Sequence, residues 1–100
     1  MIRTFSASLI ALALAAPALA GTSFTATLEV PVEKTERVVA AKKLWKCSGT
    51  VCVATLDRKT VKVSTCKKVA KEVGRLAEFS NGEDSLSAED LARCNSVAKS

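Results

Sequence analysis

Cys47 and Cys52 flank Ser48-Gly49-Thr50-Val51 in a run that reads LWKCSGTVCVATL from Leu44 to Leu56. Cysteines so placed can ligate a metal, exchange electrons with a substrate thiol, or staple the chain. Cys66 and Cys94 complete an even set of four. A Cys₄ zinc site is usually built from two C-x₂₋₄-C knuckles. Only Cys47 and Cys52 have that spacing, and the chain holds no histidine. A thioredoxin-like centre needs C-x-x-C at a helix N-terminus, and the sequence has no such pair. The cysteines therefore read as two structural disulfides, and no metal or cofactor is expected.

Other residue patterns could carry catalysis. Ser64-Thr65-Cys66-Lys67 matches S-x-x-K, the nucleophile and base spacing of penicillin-binding proteins. Ser96-Val97-Ala98-Lys99 matches it too, and the accompanying S-D-N and K-T-G are missing. Ser64 is better explained as a helix cap. The acid pairs Glu83-Asp84 and Glu89-Asp90 are sequence neighbours, not carboxylates set across a bond. They suit solvation and the positive first turn of a helix. No catalytic residue is assigned, and the protein is read as a non-enzyme.

The compartment decides whether disulfides can form. Arg3, the uncharged run from Phe5 to Ala16, Pro17 and Ala18-Leu19-Ala20 make a signal peptide with an A-x-A cleavage site. Cleavage after Ala20 delivers residues 21–100 to an oxidising space, the bacterial periplasm or the medium. The apolar run is too short to remain as a membrane span. The exported part is one small domain, whose core is marginal without covalent help.

Periodicity then sets the pairing of the cysteines. If Leu44–Cys47 and Cys52–Leu56 are hairpin strands, then Trp45, Cys47, Cys52, Ala54 and Leu56 share one face. Cys47 then faces Cys52, and Trp45 is a core anchor beside the bridge. Cys66, Val69, Ala70 and Val73 recur at helical spacing, with Ser64 or Thr65 as cap and Gly74 as stop. Ser87-Ala88-Glu89-Asp90 opens a second helix, which carries Leu91, Cys94 and Ala98 on one stripe. Packing the two helices joins Cys66 to Cys94.

The remaining segments are read more coarsely. Leu76–Ser80 is a short strand followed by an Asn81-Gly82 turn, and Leu86 folds back before the Ser87 cap. Thr60–Val63 is taken as another short strand. Phe24, Ala26, Leu28 and Val30 alternate with polar residues, while residues 33–43 are taken as extended. The division is a signal peptide at 1–20, an extended or partly disordered segment at 21–35, and one domain at 36–100. The fold class is α+β: a small disulfide-stapled domain with a short antiparallel sheet and two packed helices.

Trp45-x-Cys47-x-Gly49-x-x-Cys52, Cys66 opening a helix, Gly74 with Phe79 and Gly82, and Leu91-x-x-Cys94-Asn95 together resemble a family of small exported bacterial proteins. The resemblance runs from Trp45 to Asn95. It implies that the four cysteines act as a set, and it brings no activity, substrate or cofactor.

Charge supplies the functional hint. The whole chain carries a net +5, with 15 basic and 10 acidic residues. Residues 34–75 hold 12 basic and 3 acidic residues, a net +9. Lys67, Lys68, Lys71 and Arg75 fall on one side of the first helix, opposite its apolar stripe. Such a face suits an anionic envelope polymer or a membrane surface. Nucleic acid is disfavoured, because stacking aromatics are scarce and tyrosine is absent. The leading expectation is a structural or binding module of the bacterial envelope. Two alternatives are a thiol–disulfide redox or stress factor using Cys47 and Cys52, and an inhibitor of a cell-wall enzyme.

Overall fold

The computed structural model describes residues 21–99, so the expected leader at 1–20 lies outside the described residues. Within them the order is β1 (Thr22–Leu28), β2 (Glu36–Ala40), β3 (Lys43–Ser48), β4 (Val51–Leu56), α1 (Val63–Val73), β5 (Leu76–Ser80) and α2 (Ala88–Asn95). The strands form one antiparallel sheet ordered β2-β3-β4-β1-β5. Both helices pack over the same face of it. The domain is α+β, with a disulfide in the sheet and another between the helices.

Alternation decides which side each strand buries. Phe24, Ala26 and Leu28 of β1 point into the core, as do Trp45 and Cys47 of β3 and Cys52, Ala54 and Leu56 of β4. The hairpin face expected around the first bridge is thus the core face. Phe24, Phe79 and Trp45 form a row, with ring centroids 5.7 Å and 6.2 Å apart. The indole Nε1 of Trp45 donates to the Ala40 carbonyl at 3.0 Å, so its one polar atom is satisfied inside. The helices supply Cys66, Val69, Ala70 and Cys94 from above. Val39, Leu44, Val51 and Val53 remain exposed on the sheet.

The N-terminal segment is the main difference from the sequence reading. The sequence sets residues 21–35 apart as an extended or partly disordered segment, yet β1 lies between β4 and β5 in the sheet. Its alternating pattern predicted a strand, but nothing local predicts which strands will flank it. Residues 57–62 form no strand. The helix starts at Val63 with Lys62 as N-cap and no side-chain acceptor, so neither Ser64 nor Thr65 is the cap. The expected turn after β5 is built on the Asn81 side chain, whose Oδ1 accepts from the amides of Glu83 and Asp84 at 2.9 Å and 2.7 Å. Ser87 does cap α2, accepting from the Asp90 amide at 3.2 Å.

The two hairpin turns differ in chemistry. Between β3 and β4, Gly49 supplies the positive φ of +61° that a two-residue loop needs. Between β2 and β3 the loop is Ala41-Lys42, and both residues have positive φ, 53° and 64°. That is the signature of a type I′ turn, which favours Asn-Gly and here has neither. A left-handed Cβ-bearing residue costs roughly 1–2 kcal/mol. Replacing Ala41 with asparagine, which tolerates this conformation, should therefore stabilise the domain by about 1 kcal/mol. Chemical denaturation with an unchanged m-value would check it, and a fall in stability would count against strain at this turn.

β5 breaks strict alternation. Its buried residues, Leu76 and Phe79, stand three apart. The pairing with β1 absorbs the extra residue, because Thr27 lies opposite Glu78 while Leu28 lies opposite Leu76. Ala77 is left over as a bulge.

Candidate anion-binding surface

The positively charged surface begins with α1. Its Cys66, Val69 and Ala70 side is buried. Lys68 and Lys71 are exposed, and Lys67 is half-buried. The bridge from Cys66 to Cys94, with Cα atoms 5.6 Å apart, clamps α1 to α2. The helix that carries the lysines is therefore tied covalently to α2.

Arg75 does not extend that row. The helix ends at Val73, and Gly74 turns the chain with a φ of 105°. Arg75 Nε then donates to Glu29 Oε1 at 3.0 Å, an exposed ion pair worth little to stability. Three lysines of the expected four-residue set remain on the helix. The structure divides them again. Lys68 lines a cavity of about 370 Å³, while Lys67 and Lys71 face elsewhere.

That cavity gathers charges from distant parts of the chain. Lys42 and Lys43 reach it from the β2–β3 turn, Arg58 from the link after β4, and Lys68 from α1. Thr65, in the first turn of α1, also lines it. Asp57 is the one carboxylate among the lining residues, which leaves a net +3. Asp57 Oδ2 accepts from Lys43 Nζ at 2.9 Å, and the Asp57 side chain is mostly exposed. Sequence reasoning placed Lys42, Lys43 and Arg58 inside the basic segment but could not bring them to Lys68. Only the left-handed turn and the irregular 57–62 link do so.

A second cleft, of about 410 Å³, lies at the other end of α1. Val30, Pro31, Val32 and Val38 make it apolar, with the Glu29–Arg75 pair at its rim. Cys47 lies beneath this cleft with no accessible surface.

The cysteines are paired Cys47–Cys52 and Cys66–Cys94, and no free cysteine remains among the described residues. All four are fully buried. Thiol–disulfide exchange needs an approach path for the attacking thiolate, and burial closes it. Among the described residues no group of three or more His, Cys, Asp or Glu is placed to hold a metal. The S-x-x-K residues are separated in role. Ser64 is an exposed first-turn residue of α1, and Ser96 Oγ donates to the Arg93 carbonyl at 2.7 Å. Asp90 is held by Arg93 Nη1 at 3.0 Å, an i,i+3 pair on α2. Among the described residues, no helix is long and apolar enough to cross a membrane.

One residue whose role was not legible from sequence stands at the α2–β5 junction. Asn95 is buried, and its side-chain amide pairs with the Leu76 backbone in both directions. Its Oδ1 accepts from the Leu76 N–H at 2.8 Å, and its Nδ2 donates to the Leu76 carbonyl at 2.9 Å. The amide thus covers part of the free edge of β5 as a neighbouring strand would. The sequence signal was its place beside Cys94.

No curated protein and no solved structure matches the chain. Residues 7–96 match a family of unknown function, DUF8200, and the chain belongs to that family.

Proposed function

We propose that this protein is an exported, non-enzymatic binding module of the bacterial envelope, whose target is an anionic component. The observation that carries this reading is the convergence of basic side chains on and beside a helix that a buried disulfide holds in place. The two disulfides suit an oxidising compartment. With the signal peptide read at residues 1–20 they support a periplasmic or secreted location. A helix already held in place loses less freedom on binding than a mobile one would. Burial of Cys47 and Cys52 argues against the redox alternative, because neither sulfur meets solvent.

Vesicles containing anionic lipid, or an acidic polysaccharide, provide the test. Binding should be strong at low salt and fade as the Debye length falls from about 30 Å at 0.01 M to about 8 Å at 0.15 M. Any basic protein would show that trend, so position is the sharper criterion. Lys68→Glu with Lys71→Glu should weaken vesicle binding by about tenfold or more, since each surface lysine contributes on the order of 1 kcal/mol. Arg93→Glu with Lys99→Glu changes the net charge equally and should cost less. Equal losses in the two double variants would show that net charge alone acts.

A further inference from the structure

We infer that the cavity between the Ala41-Lys42 turn, the 57–58 link and the first turn of α1 binds a phosphate group. Lys42, Lys43, Arg58 and Lys68 supply the charge, and the Thr65 hydroxyl is a specific donor. This rests on the anionic-target reading and names the chemistry and the place.

Four cations from three segments converge on one concavity against one carboxylate. Like charges repel, and a concave site concentrates their field on an anion. Charge alone is not a site, and Thr65 supplies an independent observation. Thr65 is only 4% exposed, and its hydroxyl enters none of the side-chain hydrogen bonds formed among the described residues. A buried hydroxyl without a partner is costly, and valine would fill the same volume without that cost. Because Thr65 lines the cavity, an acceptor oxygen bound there can satisfy the hydroxyl.

The backbone adds to this. The first bonded amide of α1 is Cys66, which donates to the Lys62 carbonyl at 3.1 Å. The amides of Val63, Ser64 and Thr65 precede it, with no side-chain cap and no acid in the first turn. Of these three residues Thr65 lines the cavity, and amides at a helix start are donors of the kind that phosphate oxygens accept from. Lys42 reaches the cavity from the β2–β3 turn. A phosphate has several acceptor oxygens for these donors, and Arg58 can meet two of them with its planar fork. The volume, about 370 Å³, also has room for the group that carries the phosphate.

Thr65→Val separates this site from general basicity, because it leaves every charge in place. Inorganic phosphate is titrated into the oxidised protein at constant ionic strength, with chloride as the reference salt, and backbone amide shifts are followed. The expected result is saturable shifts centred on Lys42 and residues 63–65. Thr65→Val should weaken phosphate binding by at least about tenfold, the loss of one charge-assisted hydrogen bond. The same change should raise the melting midpoint by about 4–8 °C, because an unsatisfied hydroxyl is removed. Arg58→Gln, at an exposed position, should also lower affinity. In a second arm, vesicles of phosphatidic acid in phosphatidylcholine replace free phosphate. A Thr65-dependent gain on vesicles assigns a lipid-borne phosphate, and a Thr65-dependent response to free phosphate alone assigns a soluble one. Unchanged phosphate affinity in both Thr65→Val and Arg58→Gln overturns the cavity site. If the Lys68/Lys71 variant still loses vesicle binding in that case, the broader reading stands. If the native protein binds neither probe, both readings fall.

Discussion

Replacing Asn95 with leucine should lower the stability of the domain by about 2–5 kcal/mol. The substitution removes both hydrogen bonds to Leu76, whose side chain has no accessible surface. Leucine can neither donate nor accept, so the Leu76 N–H and C=O lose their partners at the covered edge of β5. Each backbone group left unpaired costs about 1–3 kcal/mol, more than its bond contributed net. A domain of this size has about 5–15 kcal/mol in all. The loss should appear as a fall of at least about 10 °C in the thermal midpoint. Hydrogen exchange should speed up first in β5 and α2, which this amide joins. A midpoint within a degree or two of the native protein would mean that water takes over both bonds.

Removing the interhelical bridge should have a comparable effect and a functional consequence. Cys66 and Cys94 are separated by 28 residues in sequence, so closing that loop accounts for about 3.6 kcal/mol in the chain-entropy treatment. The Cys47–Cys52 bridge spans a separation of only 5, which corresponds to about 2.2 kcal/mol. The double variant Cys66→Ala/Cys94→Ala should thus be destabilised by more than Cys47→Ala/Cys52→Ala. Packing adds to both losses, because all four residues are fully buried. Guanidinium titrations of the two double variants would test the order. Without the clamp, α1 is held only by its packing, and Lys68 loses its fixed relation to Lys42 and Arg58. Anion binding should fall in the Cys66/Cys94 variant even below its melting temperature. Retained binding there would show that the orientation of α1 does not matter.

Several elements could be read directly from the order of residues. The shared face of Trp45, Cys47, Cys52, Ala54 and Leu56 follows from the two-residue repeat of a strand. The buried stripe of α1 follows from the helical repeat, and the Ser87 cap from the hydroxyl and acids at the start of α2. These are local properties. A few neighbouring residues decide them, so they survive without knowledge of the rest of the chain. The cysteine pairing extends the same logic, because each bridge joins two faces that periodicity had already defined.

Other features depend on residues that meet only after folding. β1 lies between β4 and β5 because both its edges find partners there, and no pattern within Thr22–Leu28 specifies them. The Ala41-Lys42 turn contains no residue that prefers positive φ, so the pairing of β2 with β3 imposes its conformation. Ala77 became a bulge because Leu76 and Phe79 are both needed in the core. Charge shows the same division. Composition alone established a basic middle segment, since counting needs no geometry. Which cations act together was decided by packing: Arg75 went to Glu29 at one end of α1, and Lys68 joined Lys42, Lys43 and Arg58 at the other. Local repeats set the faces of strands and helices, whereas the convergence of distant side chains depends on how those faces are stacked.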